Sequence, residues 1–194
     1  MICSFIVSTY NRPRVLEGVL TSLAQQTEQS FEVIVADNSD NPSCIVGNHE
    51  AVARYDDRFR LIETRLSDCY RSANAAAQFA IGEYVCFPSD DCYYCPRFLE
   101  QLIQRGRSSD LIYCNCIWDG LGSAYPGSIL VARLCLGGID KGGFLLRRWK
   151  FTGFPEPPAD RADRVWPGDG IMIEQLVKAG VHSTKVDQVL WVHN

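Results

Sequence analysis

Apolar and polar positions switch between two periods over the first 116 residues. Cys3 to Ser8 is a continuous apolar run of strand length. Pro13 suits the first turn of a helix, and Val15, Leu16, Val19, Leu20 and Leu23 recur at helical spacing behind it. Phe31 to Ala36 is again strand-like, rich in Val and Ile, and ends in the polar run from Asp37 to Pro42. A helix is predicted over Ile45 to Tyr55 and a short strand over Arg60 to Glu63. Ala73, Ala76, Ala77, Ala80 and Ile81 form a helix of small residues that Gly82 is expected to stop. Tyr84 to Phe87 is a strand, Pro96 opens another helix, and Leu111 to Cys116 is a further strand.

Beyond Ile117 the pattern breaks down. Seven glycines between Gly120 and Gly143 separate short apolar pieces that carry no assignable period. Phe154 to Asp163 holds three prolines and reads as a loop. A last helix is predicted from Asp169 to Ala179, ending at Gly180, and a last strand from Lys185 to Val192. Strands alternating with helices imply an α/β chain whose mostly parallel sheet is covered on both faces. The expected organisation is a single domain over 1–194, with a regular half (1–116) and an irregular half (117–194). Ligands of such sheets bind beyond the carboxyl ends of the strands, so the chemistry is sought there.

Composition narrows the function classes. The chain is 46% hydrophobic and 22% charged, values of a folded protein. Nineteen basic against 23 acidic residues give a net charge of −4, which argues against nucleic acid as a partner. No apolar run reaches the ~18 residues of a membrane span, and no basic leader precedes Ile2, so a cytoplasmic protein is expected. The nine cysteines are expected to be reduced. Cys92 and Cys95 form a CxxC, and Cys114 and Cys116 a CxC, leaving a zinc site as an alternative to plain burial of the thiols.

Three strand ends are unusually polar. The first runs Ser8-Thr9-Tyr10-Asn11-Arg12 into a helix N-terminus, where backbone N–H groups can meet an anion or a base edge. The second presents Asp37, a lone carboxylate that by itself reads as an ordinary turn or cap residue. The third places Asp90 and Asp91 side by side after a buried strand. Adjacent carboxylates repel, and a divalent cation such as Mg²⁺ or Mn²⁺ would offset them; the alternative is a solvated turn capping the next helix.

The order and spacing of these segments resemble glycosyltransferase family 2, the inverting nucleotide-sugar enzymes of GT-A fold. The matching segments are Ser4 to Arg12, Phe31 to Ser39, Arg71-Asn74-Ala75 and Gly82 to Asp91. The resemblance implies that Thr9, Tyr10, Arg12 and Asp37 hold the nucleoside of the donor, with Asp37 accepting a uracil-like N–H. It sets Arg71 near the base or diphosphate, Asp90 near the ribose or a metal-bound water, and Asp91 on the cation of a DxD-type motif whose first position is Ser89. Gly168-Asp169-Gly170 lines up with a helix start in which Asp169 is the general base, although Gly168 stands where many relatives have Glu. His193, after the last strand, is implied as a second metal ligand, the alternative being an exposed terminal histidine.

The expected activity is therefore metal-dependent transfer of a sugar, with inversion, from a nucleoside-diphosphate donor to an acceptor hydroxyl, UDP being the preferred nucleotide. The loop from Phe154 to Pro167 is expected to close over both substrates. Trp118, Trp149 and Trp166 are either sugar-packing faces or core, with at least one expected in the core. Two other readings stand beside this one: a catalytically silent nucleotide-binding domain of the same fold, and a zinc-stabilised interaction module. The first loop lacks the Gly-rich cradle of a nucleotidyltransferase and the GxGxxG of a dehydrogenase.

Overall fold

A computed structural model describes residues 1–66, 68–119, 127–157 and 166–194. Strand β1 (Cys3–Thr9) and strand β2 (Phe31–Asp37) are buried along their whole length, as expected of central strands covered on both faces. Between them helix α1 (Pro13–Ala24) turns Leu16, Val19, Leu20 and Leu23 inward. Helix α2 (Pro42–Val52) begins at Asn41, whose side chain accepts from Ser43 N, and leads to β3 (Phe59–Glu63). Helix α3 (Cys69–Ala77) is capped by Asp68, which accepts from the N–H groups of Tyr70 and Arg71. Strands β4 (Tyr84–Cys86) and β5 (Cys92–Tyr94), helix α4 (Phe98–Gly106) and strand β6 (Leu111–Trp118) complete the regular half.

The irregular half supplies β7 (Ser128–Leu130), β8 (Phe144–Arg147), α5 (Gly168–Lys178) and β9 (Ser183–His193). The sheet order is β3-β2-β1-β4-β8-β6-β9-β5, with β7 on β6. β1 to β4 pair in parallel, whereas β8, β7 and β5 pair antiparallel to their neighbours. The sheet is thus mixed, and its parallel character is concentrated in the first half. This is the GT-A architecture, with α1, α2 and α4 over one face and α3 and α5 over the other. Each buried Leu, Ile or Phe on these faces contributes roughly 1.5–3 kcal/mol.

Several boundaries differ from the sequence reading for physical reasons. Helix α3 ends at Gln78, so Gly82 does not stop it. Gly82 is needed because the backbone of β1 passes against it: a Cβ there would lie 2.5 Å from Ser4 N. Helix α4 starts at Phe98, and its N-cap Arg97 makes no side-chain cap bond, so Asp90 and Asp91 do not cap it. None of Trp118, Trp149 and Trp166 is core: Trp149 is 63% exposed and the other two are partly buried. The fully buried indole is Trp191 of β9. Most of the Pro-rich loop expected to close over the site, residues 158–165, lies outside the described residues, as do Gly120 and Gly122. Among the described residues no helix is long and apolar enough to cross a membrane.

Candidate active site

The carboxyl ends of β1, β2 and β4 lie in line. Thr9 is the register partner of Asp37, and Ser8 bridges Ser89 beyond the end of β4. In front of them opens a cleft of about 1160 Å³, lined by Thr9, Tyr10, Arg12, Asn38, Ser89 and the α3 start at Asp68 and Cys69, among others. That is at the upper end of the size of small-ligand sites. The loop after β1 is held against the loop after β2: Asn11 N donates to Ser39 Oγ (2.8 Å), and Tyr10 Oη and Asn11 Nδ2 both donate to Asp40 (2.9 and 2.7 Å).

Asp37 is almost fully buried behind this wall. Its Oδ1 accepts from Ser39 N (2.9 Å), the turn contact expected of the ordinary reading. Its Oδ2 is buried with no partner among the described residues. A buried acceptor left without a donor is costly, and an N–H brought by a ligand would satisfy it. Arg71 is placed elsewhere: it pairs with Asp68 and Glu156 and lines a second, smaller groove with Leu66 and Asn74.

Asp90 has no exposed surface. Thr9 Oγ1 donates to its Oδ2 (2.7 Å), and Arg12 grips both oxygens, through Nε on Oδ2 (3.2 Å) and Nη2 on Oδ1. Burial, with some repulsion from Asp91, pushes the Asp90 carboxyl above its ordinary range despite the Thr9 and Arg12 bonds. Both oxygens are thus engaged, and Asp90 holds Arg12 at the cleft wall.

Asp91 shares the Arg12 guanidinium with Asp90 and lies beside His193 of β9. Its Oδ2 receives Arg12 Nη1 (3.3 Å), while Oδ1 is buried and unpartnered. His193 is not an exposed terminal residue: its ring stacks on Trp118 (4.4 Å, 5°), and Nδ1 lies 3.6 Å from Asp140 Oδ2 and 4.0 Å from Cys92 Sγ. Ligand atoms of Asp91, Cys92 and His193 lie within 4.8 Å of one another, the one such group among the described residues. An orphaned carboxylate oxygen beside an imidazole fits a divalent cation, so Asp91 and His193 are suited to hold one. The four cysteines expected as a possible zinc site do not meet. β9 lies between β5 and β6, and Cys92 is in register with Trp118 across it, which sets Cys92 more than about 10 Å from Cys114 and Cys116 at ordinary strand spacing, too far for shared Zn–S bonds. All nine cysteines are free, and burial raises the thiol of Cys92.

Asp169 is the second residue of α5, whose N-cap is Pro167, so it is not the cap. Oδ1 accepts from Tyr70 Oη (3.1 Å) and Gly170 N (2.9 Å), and Oδ2 from Lys141 N (3.2 Å). Burial first, then the charge of Asp140, raises its pKa, against the pull of Gly170 N–H, Lys141 and Tyr70. Lys141 is a residue that sequence reasoning missed. Its Nζ donates to Phe87 O (3.2 Å) and its carbonyl accepts from Phe87 N (3.3 Å), just beyond β4. Burial opposes its charge, but Cys69, Asp140, Cys92 and Asp169 around it hold its pKa above the ordinary value. One buried ammonium therefore stands between the turn after β4, which carries Asp90 and Asp91, and the helix that carries Asp169. Tyr70 and Asp140 were also missed; each sits in a segment with no motif of its own, and Cys92 is legible only as half of the CxxC.

Fold and site together define a GT-A domain with a nucleotide-sized cleft and a carboxylate-rich floor. Comparison with known proteins agrees. The model of the family described as "Glycosyl transferase family 2" matches residues 4–124, and the chain belongs to that family. It is 30% identical over 114 residues to EpsH of Bacillus subtilis (strain 168), an alignment covering 58% of this chain and 33% of EpsH. Among solved structures, TarS residues 1–349 of S. aureus superposes with a TM-score of 0.72 at 21% identity, covering 100% of this chain and 60% of that one. The mannosyltransferase PcManGT of Pyrobaculum calidifontis, solved with GDP-Man and Mn²⁺, gives 0.69 at 17% identity, covering 98% and 56%. At these identities the two structures speak to the fold alone. The chain thus spans about a third of the length of EpsH and less than two thirds of either solved relative.

Proposed function

We propose that this chain binds a nucleoside-diphosphate sugar, with UDP as the preferred nucleotide, and transfers the sugar to an acceptor hydroxyl with inversion. The observation that carries the reading is the Lys141 bridge. Through its backbone N–H and its side chain, that one residue links the Asp169 carboxylate to Phe87, where β4 gives way to the turn bearing Asp90 and Asp91. Base and donor-side acids are thereby held against each other, as a single displacement requires. TarS has been solved with UDP-GlcNAc and with UDP, and PcManGT with GDP-Man, which supports a nucleotide-sugar donor.

In this reading Thr9, Tyr10 and Arg12 form the wall against which the nucleoside lies, and the unpartnered Oδ2 of Asp37 accepts its N–H. Asp91 and His193 would hold Mn²⁺ or Mg²⁺, which when bound supplies positive charge for the leaving diphosphate. Asp169 removes the acceptor proton as the acceptor oxygen attacks the anomeric carbon from the face opposite the leaving group. Arg71, paired at the second groove, is assigned no contact with the donor. Free thiols throughout fit action in the reducing cytoplasm.

A thermal-shift titration with UDP, with and without Mn²⁺, tests the donor site. Wild type is expected to gain about 2.7 kcal/mol at a hundredfold excess over Kd, with the larger gain in Mn²⁺. Asp91→Ala should lose the Mn²⁺-dependent part and keep any metal-free part. A folded wild type that shows no shift with UDP, GDP or TDP, with or without the ion, would refute the donor assignment.

A further inference from the structure

Asp169 lies within reach of a phenol from the other half of the chain. Tyr70 is the second residue of α3, and its Oη donates to Asp169 Oδ1 (3.1 Å) across 99 positions of sequence. The residue before Asp169 makes this possible. A Cβ on Gly168 would lie 3.2 Å from two carbons of the Tyr70 ring and from Trp166 Cδ1, closer than side chains normally pack. The ring is held from its other side by Phe154 (5.1 Å between centroids). One turn further along α3, Asn74 exchanges two hydrogen bonds with the Phe154 backbone (2.7 and 3.0 Å), tying this helix to the chain that leads toward α5.

We infer that Tyr70 is the positioning residue of Asp169: it fills Oδ1 and leaves Oδ2 as the atom that takes the acceptor proton. The inference rests on the reading of Asp169 as the base. A carboxylate oxygen accepts about two hydrogen bonds. Oδ1 already has both, from Tyr70 Oη and Gly170 N, whereas Oδ2 has only Lys141 N. The free lone pair is therefore on Oδ2, and Oδ1 locks the rotamer that presents it. The two residues before Tyr70, Asp68 and Cys69, line the donor cleft. One short helix thus touches the donor space with its first turn and orients the base from the same turn, so donor and base geometry are set by one element.

Tyr70, Cys69, Asp140 and Lys141 are the titratable groups that face Asp169 from α3 and from the turn before β8. Of these, Tyr70 is neutral and acts by its hydrogen bond alone. Removing that bond withdraws support from the carboxylate, so the proton should be held more tightly. The test follows the Asp169 carboxyl carbon by NMR through a pH titration of the full chain, with the resonance assigned by its loss in Asp169→Asn. In Tyr70→Phe the Asp169 midpoint is expected to rise by about one pH unit, the equivalent of one hydrogen bond to a charged group. Gly168→Ala keeps the phenol but crowds its ring, and should move the midpoint in the same direction by less. It carries the test if Tyr70→Phe does not fold.

Rates of UDP release from UDP-GlcNAc in Mn²⁺, with water as acceptor, are read on the same proteins. Tyr70→Phe is expected to lower kcat about 10- to 100-fold with the donor KM held. An Asp169 midpoint unchanged in both variants, alongside an inert Asp169→Asn, overturns the role of Tyr70 and leaves the base in place. An Asp169→Asn protein as fast as wild type overturns the base itself, and the positioning role with it.

Discussion

Asp169→Asn is expected to reduce sugar transfer by about 10²- to 10⁴-fold, the range of a lost general base. Donor binding should be untouched, because Asp169 does not line the nucleotide cleft. The substitution keeps the shape of the side chain and its acceptor toward Tyr70 and Gly170, but removes the only atom that can take a proton there. The wild-type pH–rate profile carries a matching signature. Burial raises the Asp169 pKa, so activity should fall away as pH drops through a value above the ordinary carboxylate range. The stability sign runs the other way. A carboxyl whose folded pKa is raised stabilises most below its unfolded pKa, and that contribution disappears as pH rises through the folded value. Burying this carboxyl thus costs some stability near neutrality. Measuring kcat and donor affinity for both proteins across pH decides the matter; an Asn variant within tenfold of wild type would remove Asp169 from the chemistry.

Arg12→Ala should be the most damaging change on the donor side, costing about 3 kcal/mol. Breaking a buried ion pair from one end costs ~3–5 kcal/mol, and the low end applies because the Arg12 side chain is 48% exposed. What remains is Asp90, with no surface of its own and, among the described residues, Thr9 Oγ1 and the charge of Lys141 to support it. In a chain of this size the loss should lower Tm by roughly 6–12 °C. The deficit depends on pH. Burial already lifts the Asp90 pKa, and without the guanidinium it rises further, so a neutral Asp90 becomes the state that folds best. The gap in Tm between wild type and Arg12→Ala should therefore narrow as pH falls from 7 toward the carboxylate range. A gap that is constant with pH would mean that Arg12 contributes packing and not charge.

Much of the donor side was legible because consecutive residues carry it. The apolar runs of β1 and β2 and the stripe on α1 are local patterns, and Thr9, Asp37, Asp90 and Asp91 follow directly on buried strands. The structure brings ligand atoms of Asp91 and His193 within 4.8 Å of one another, and it sets Asp37 behind the cleft with one oxygen that has no partner among the described residues. The acceptor side was not legible in the same way. β8 is four residues long and follows two glycines, and β5 is three residues long, so neither shows a period. Lys141 and Tyr70 owe their places to contacts far along the chain, and no spacing rule connects Tyr70 to Asp169. The paired cysteines misled because strand order decides whether thiols meet, and no pattern in the CxxC or CxC reveals that β9 will lie between them. Asp90 and Asp91 are adjacent and share Arg12, yet Asp90 is fully buried while Asp91 also lies beside His193, a difference that two neighbouring letters do not reveal.

The insertion of β9 between β6 and β5 also sets an order in time. The walls of the cleft come from residues 8–89, and all of them leave the ribosome before Asp91. Asp91 and Cys92 follow at once, but His193 comes about a hundred residues later, a delay of roughly 5–20 s at ordinary rates of synthesis. Throughout that interval β5 has no strand to pair with, since its partner in the finished sheet is β9. The nascent chain can thus shape a nucleoside pocket well before the edge that gathers Asp91, Cys92 and His193 exists, and vectorial synthesis completes that edge last.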